Sequence, residues 1–85
     1  MTNYLILYEQ ISFNAYIKNK GVNFYLFDLR FGKMDKNSNR GYWFSEDLIV
    51  PYGDNFELIC SLIQSQDYNN YLIAKEILKY EKERI

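Results

Sequence analysis

Residues 22–31, VNFYLFDLRF, read as a β-strand that is apolar on both of its faces. With side chains alternating, Val22, Phe24 and Leu26 fall on one face, and Tyr25, Phe27, Leu29 and Phe31 on the other. Such a strand is stable in water only when each face is covered by another element or by a partner chain, which places it at the centre of a sheet. The flanking segments are the candidates for that cover.

Upstream, residues 4–8 (YLILY) form a short apolar and aromatic run that predicts a strand. Residues 11–18 then alternate, with Ile11, Phe13, Ala15 and Ile17 on one face and Ser12, Asn14, Tyr16 and Lys18 on the other, which predicts a half-buried strand. Glu9-Gln10 is poor turn chemistry for joining the two. The spacing of Tyr4, Tyr8, Ile11 and Ala15, with Thr2 as cap and Gly21 as stop, also fits a single helix over residues 4–20. Lys18-Asn19-Lys20-Gly21 predicts a type I turn closed by a left-handed glycine, leading into the central strand.

Downstream, residues 32–41 (GKMDKNSNRG) are polar, glycine-bounded and aperiodic, and predict a long exposed loop. Tyr42, Trp43 and Phe44 begin the next strand, antiparallel to the central one. Ser45-Glu46-Asp47 interrupt it as a helical turn, and Leu48, Ile49 and Val50 resume it up to Pro51 and Gly53. Asp54 and Glu57 form a capping pattern for a helix over residues 55–65, in which Phe56, Ile59, Cys60 and Ile63 share a face. A second helix over residues 68–82 turns Tyr71, Ala74, Ile77 and Leu78 inward and Lys75, Glu76, Lys79 and Glu83 outward. The expected fold is an α+β single domain over residues 1–85. A small antiparallel sheet of three or four strands, an N-terminal hairpin or meander, is followed by two helices packed on one sheet face.

A chain of 85 residues buries only about 60% of the surface its unfolded form exposes. Since 48% of the residues are hydrophobic and 19% aromatic, including nine Tyr, six Phe and one Trp, some rings must lie at the surface or in an interface.

The absent residue types narrow the chemistry. Without histidine there is no Ser-His or Cys-His dyad, no imidazole base and no His-ligated metal. A single cysteine, Cys60, forms no internal disulfide and reads as a small core hydrophobe. Gly21, Gly32, Gly41 and Gly53 make neither a dinucleotide fingerprint nor a P-loop. Asp28, Glu46, Asp47 and Asp54 are the carboxylates placed to bind Mg²⁺, but each has a simpler role: Asp28 beside Arg30, Glu46 and Asp47 solvated, Asp54 capping a helix. No catalytic residue, metal or cofactor is therefore expected, and the chain does not read as an enzyme. Apolar runs such as residues 5–8 are far short of the ~20 residues that span a bilayer, and the N-terminus lacks a secretory pattern. No membrane association and a cytoplasmic location are expected.

One constellation rises above this background. Arg30, Lys33, Lys36 and Arg40 lie near Phe31, Tyr42 and Trp43 in and around the predicted loop. Basic groups beside aromatics suit nucleic acid, gripping phosphates while rings stack on bases. Tyr, Trp and Arg are equally the residues that anchor protein interfaces. A net charge of -1, a pI near 5.3 and Asp35 within the loop weigh against phosphate. Abundant Asn, Lys, Ile, Tyr and Phe, with only two Ala and one Pro, follow A/T-rich codons and suggest an AT-rich phage or mobile element. The functional expectation is a small non-enzymatic protein-binding module that occludes a site on a host protein, an inhibitor of a host or defence enzyme. Its partner is a host protein or a second copy of itself, and the binding residues are Arg30, Lys33, Lys36, Arg40, Tyr42 and Trp43. The alternatives are a nucleic-acid-binding accessory protein using residues 30–43, and a subunit of a larger enzyme complex.

Overall fold

The computed structural model describes residues 8–83. Three antiparallel strands, β1 (Tyr8–Lys20), β2 (Phe24–Asp35) and β3 (Arg40–Pro51), form one sheet in the order β1-β2-β3, followed by α1 (Phe56–Gln64) and α2 (Tyr68–Glu83). The strand with two apolar faces is thus the central one. It starts later than its sequence pattern, for Val22 lies in the preceding turn and is 86% exposed.

Register sorts the side chains into two faces. Phe13, Ala15 and Ile17 of β1 stand opposite Phe31, Leu29 and Phe27 of β2, which stand in turn opposite Phe44, Glu46 and Leu48 of β3. Both helices pack on this face. Ile59, Cys60 and Ile63 of α1 and Tyr71, Ala74 and Leu78 of α2 join Phe13, Ala15, Phe27, Leu29, Phe31 and Val50 in one buried cluster. Each large apolar side chain buried there contributes about 1.5–3 kcal/mol by leaving water. The opposite face carries Ser12, Gly32 and Trp43 in one row, then Asn14, Arg30 and Ser45, then Tyr16, Asp28 and Asp47, then Asn19, Leu26 and Ile49. No described element covers it.

Several local expectations are corrected. β1 runs straight through Glu9 and Gln10, so the chain makes neither a hairpin turn nor a helix there; residues 4–7 lie outside the described residues. Its register slips at Ile11 and at Lys18, each an extra residue bulged against β2. The first reversal falls at Gly21, Val22 and Asn23, after Lys20, with the Gly21 N–H donating to the Phe24 carbonyl at 2.8 Å. Gly21 is not left-handed, as no described glycine has positive φ. Glycine is needed for space instead, because a Cβ there would come within 2.6 Å of the Phe24 ring.

The long loop expected over residues 32–41 is a tight hairpin. β2 continues to Asp35 and β3 begins at Arg40, and these two residues pair across the ladder. Asn39 takes φ 58°, which Asn tolerates better than most residues, and its N–H donates to the Asp35 carbonyl at 2.8 Å. The Asp35 carboxylate accepts from the Asn37 N–H at 2.8 Å and from Ser38 Oγ at 3.0 Å, tying the turn internally. Nor does β3 break at Ser45, Glu46 and Asp47, which stay extended opposite Arg30, Leu29 and Asp28.

The helices start on caps that differ from one another. α1 is preceded by Asn55, not capped by Asp54, and makes no side-chain cap bond; Asn55 donates its N–H and its Nδ2 to Glu81 of α2 at 3.0 and 2.9 Å. α2 has a side-chain cap in Asp67, whose Oδ1 accepts from the N–H groups of Asn69 and Asn70 at 2.8 and 3.1 Å. Between the helices Gln66 adopts φ 62° and sends its amide back to β1.

Lengths decide what the helices can cover. Twelve extended residues span about 40 Å, whereas the nine residues of α1 and sixteen of α2 span about 14 and 24 Å. The β2–β3 hairpin end therefore overhangs the helical layer. The Cα radius of gyration, 15.0 Å against about 12 Å for a compact chain of this length, reflects that elongation.

Candidate functional site

The overhang brings together rings that the covered part of the sheet would have buried. On the helix side, Tyr8 meets Tyr42 edge-on at 5.8 Å, and Phe44 stacks on the buried Phe31 at 5.0 Å. The Lys33 ammonium lies over the rings of Phe44 and Tyr68, 5.6 and 6.0 Å from their centroids. Tyr8, Lys33, Tyr42, Trp43 and Phe44 together line an open depression of about 390 Å³.

Trp43 belongs to the other face. Its indole lies across Gly32, where a Cβ would come within 3.0 Å of the ring and 3.1 Å of the Ser12 Cβ. Gly32 is thus the floor on which the indole rests, and one side of the ring stays in solvent: Trp43 is 68% exposed. Farther along this face Tyr16 and Ile49 are 52% and 55% exposed.

The six residues singled out from sequence do not form one patch. Arg30 and Trp43 lie on the open face, Lys33 and Tyr42 on the helix side, Lys36 in the turn, and Arg40 opposite Asp35 at the tip. Phe31, read as part of the same group, is in the core. Three of the four cations are also engaged. Arg30 donates from Nε and Nη2 to Asp28 at 3.2 and 3.1 Å and lies over the Tyr16 ring, Lys36 is 3.9 Å from Glu9, and Lys33 is held by rings. These four residues do not assemble a continuous basic track for a phosphate backbone.

The carboxylates are dispersed in the same way. Asp28 and Asp47 face each other across the ladder, but Arg30 holds the first and Lys18 the second, at 3.3 Å. Among the described residues no group of three or more His, Cys, Asp or Glu lies close enough to share a metal ion. Cys60 is buried, and burial pushes its thiol up in pKa, away from the reactive thiolate.

Two elements of the surface were missed from sequence. Phe44 and Ile49 were readable as exposed apolar residues only once β3 was known to be continuous. The Gln66 amide had no sequence signal at all: it accepts from the Ala15 N–H at 2.8 Å and donates to the Ala15 carbonyl at 2.8 Å, imitating a strand. Compared with protein-family models, curated proteins and solved structures, the chain matches none.

Proposed function

We propose that the chain is a small, non-enzymatic module that binds another protein and acts by occluding a site on it. The observation that carries this reading is the pair of uncovered aromatic residues of the overhang, Trp43, 68% exposed on the open face, and Tyr42, 42% exposed on the helix side of the same strand. Exposed Trp and Tyr held by a sheet lose little conformational freedom on docking, which makes them suited to anchoring an interface. A host enzyme, including one of a defence system, is the partner class; the AT-rich residue bias suggests a phage or mobile element as carrier. Engagement of Arg30, Lys33 and Lys36 with carboxylates and rings argues against phosphate as the main ligand.

The test separates ring from charge. A partner captured from a host lysate is purified, and its affinity is measured for the parent chain, Trp43→Ala, Tyr42→Ala, and a variant with Lys33, Lys36 and Arg40 all changed to Ala. Loss of an aromatic anchor should weaken binding by about 2 kcal/mol or more, roughly thirtyfold, while the charge variant chiefly slows association. Steep salt dependence that flattens in the charge variant would move the reading to nucleic acid. Melting matched to the parent qualifies each variant, and full binding by all of them overturns the assignment of this surface.

A further inference from the structure

The two outer edges of the sheet are unlike. On β1, the Ala15 N–H and C=O point away from β2, since both bond the Gln66 amide. Backbone groups of antiparallel strands alternate in direction. Leu29, opposite Ala15, therefore turns its groups toward β3; Glu46, opposite Leu29, turns its own back; and Ser45 and Asp47 point outward. The β2–β3 register is unbroken, so the outward set is Gly41, Trp43, Ser45, Asp47 and Ile49. Pro51 falls in the same series, where its missing N–H removes no ladder bond.

The β1 edge is closed to further strands: Gln66 occupies its middle, and the bulges at Ile11 and Lys18 distort either side. The β3 edge has no bulge, and no described residue bonds its outward groups. Its one guard is the acidic pair Glu46 and Asp47. If two copies paired antiparallel in the register that sets Trp43 against Ile49, Glu46 would face Glu46; shifted by the next step, Asp47 would face Asp47. Like charges directly opposite destabilise a ladder, so in these two registers the guard acts against a second copy. It favours a strand of the opposite charge. Asp47 is held by Lys18, whereas Glu46 has no ion-pair partner among the described residues and stands between Phe44 and Leu48 on its face.

We propose that β3 takes up an extended strand of a partner protein along its outer edge, with a lysine or arginine facing Glu46 and apolar side chains facing Phe44 and Leu48. This rests on the protein-binding reading and adds its mode, backbone pairing that lengthens the sheet by a strand.

The probe is a synthetic acetylated and amidated peptide, TIVTKTVIT, compared with TIVTETVIT. The lysine peptide should slow amide exchange at Trp43, Ser45, Asp47 and Ile49 but not at Phe44, Glu46 and Leu48, and bind about tenfold tighter than the glutamate peptide. Glu46→Lys should reverse that preference. Ser45→Pro removes an outward N–H without touching the β2 ladder and should abolish binding; a lysine peptide N-methylated on its pairing amides should fail equally, whether or not Ser45→Pro folds. No alternating protection, equal affinity for both peptides, or binding unaffected by N-methylation overturns the proposal. So does a peptide-free dimer in sedimentation that N-methylated peptide leaves intact and Glu46→Lys alters, which would make a second copy the occupant. If the peptides fail while Trp43→Ala still weakens the captured partner, only the strand mode falls; if the captured partner is indifferent to Trp43 and Tyr42, the protein-binding surface itself falls.

Discussion

The two faces of the sheet both carry large apolar residues, and these behave oppositely. Beneath the helices, Phe27, Val50, Ile59 and Ile63 lose all contact with solvent, while on the other side Trp43, Ile49 and Tyr16 keep half or more of theirs. For these apolar residues the difference lies in what covers them; the open face around them is otherwise largely polar, with Ser12, Asn14, Arg30, Ser45, Asp28 and Asp47. The covered face sets stability; the open one leaves Trp43, Ile49 and Tyr16 in contact with solvent.

That contrast can be broken in several places, the largest effect first. Ile59→Ala or Leu78→Ala should cost about 2–5 kcal/mol, read as a lowered midpoint in chemical or thermal unfolding, because each leaves a cavity in the single core. Unchanged melting of both would show that the helices do not hold the sheet. Next comes alkaline pH. Burial, then the nearby Glu46 charge and Tyr68, push Tyr71 up to about 12, so its neutral form is favoured in the folded chain. A folded pKa above the unfolded value means this stability is complete below about pH 10 and is lost as pH rises toward 12, about 2–3 kcal/mol in all. Tyr71→Phe should flatten that part of the pH profile.

On the open face effects should shrink. Gly32→Val would push against the Trp43 indole from below. Because the ring is free on its outer side, the expected result is a shift in tryptophan fluorescence with no more than about 1–3 kcal/mol of destabilisation. Lys18→Ala should change stability by under about 1 kcal/mol, since both ends of its pair with Asp47 are exposed. A large loss there would mean that the open face is covered in solution.

The same contrast explains what could be read from sequence. The stripes of Ile59, Cys60 and Ile63 and of Tyr71, Ala74 and Leu78 were legible because each faces a single buried layer, and the β1 alternation from Phe13 to Ile17 was legible for the same reason, whereas Ile11, read onto the same face, is bulged and 47% exposed. Residues 32–41 and Ser45-Glu46-Asp47 misled because they extend beyond the helices or lie on an edge. Beyond Gly32 no residue there is buried, so nothing forces polar and apolar residues to alternate. Of the site, Tyr42 and Trp43 could be singled out by residue type. Their separation onto opposite faces required the register.

The bond from Asn55 to Glu81 has a consequence in time. Synthesis proceeds from the N-terminus, and the meander β1-β2-β3, whose contacts are local, is complete well before the helices emerge. α1 follows it, but the carboxylate that receives the Asn55 N–H and Nδ2 lies 26 residues later in the chain, near the end of α2. Until Glu81 leaves the ribosome, the first turn of α1 lacks that anchor and the apolar side of the sheet is only partly shielded. A released chain truncated before residue 81 should therefore be far more open to protease at α1 than one that includes it.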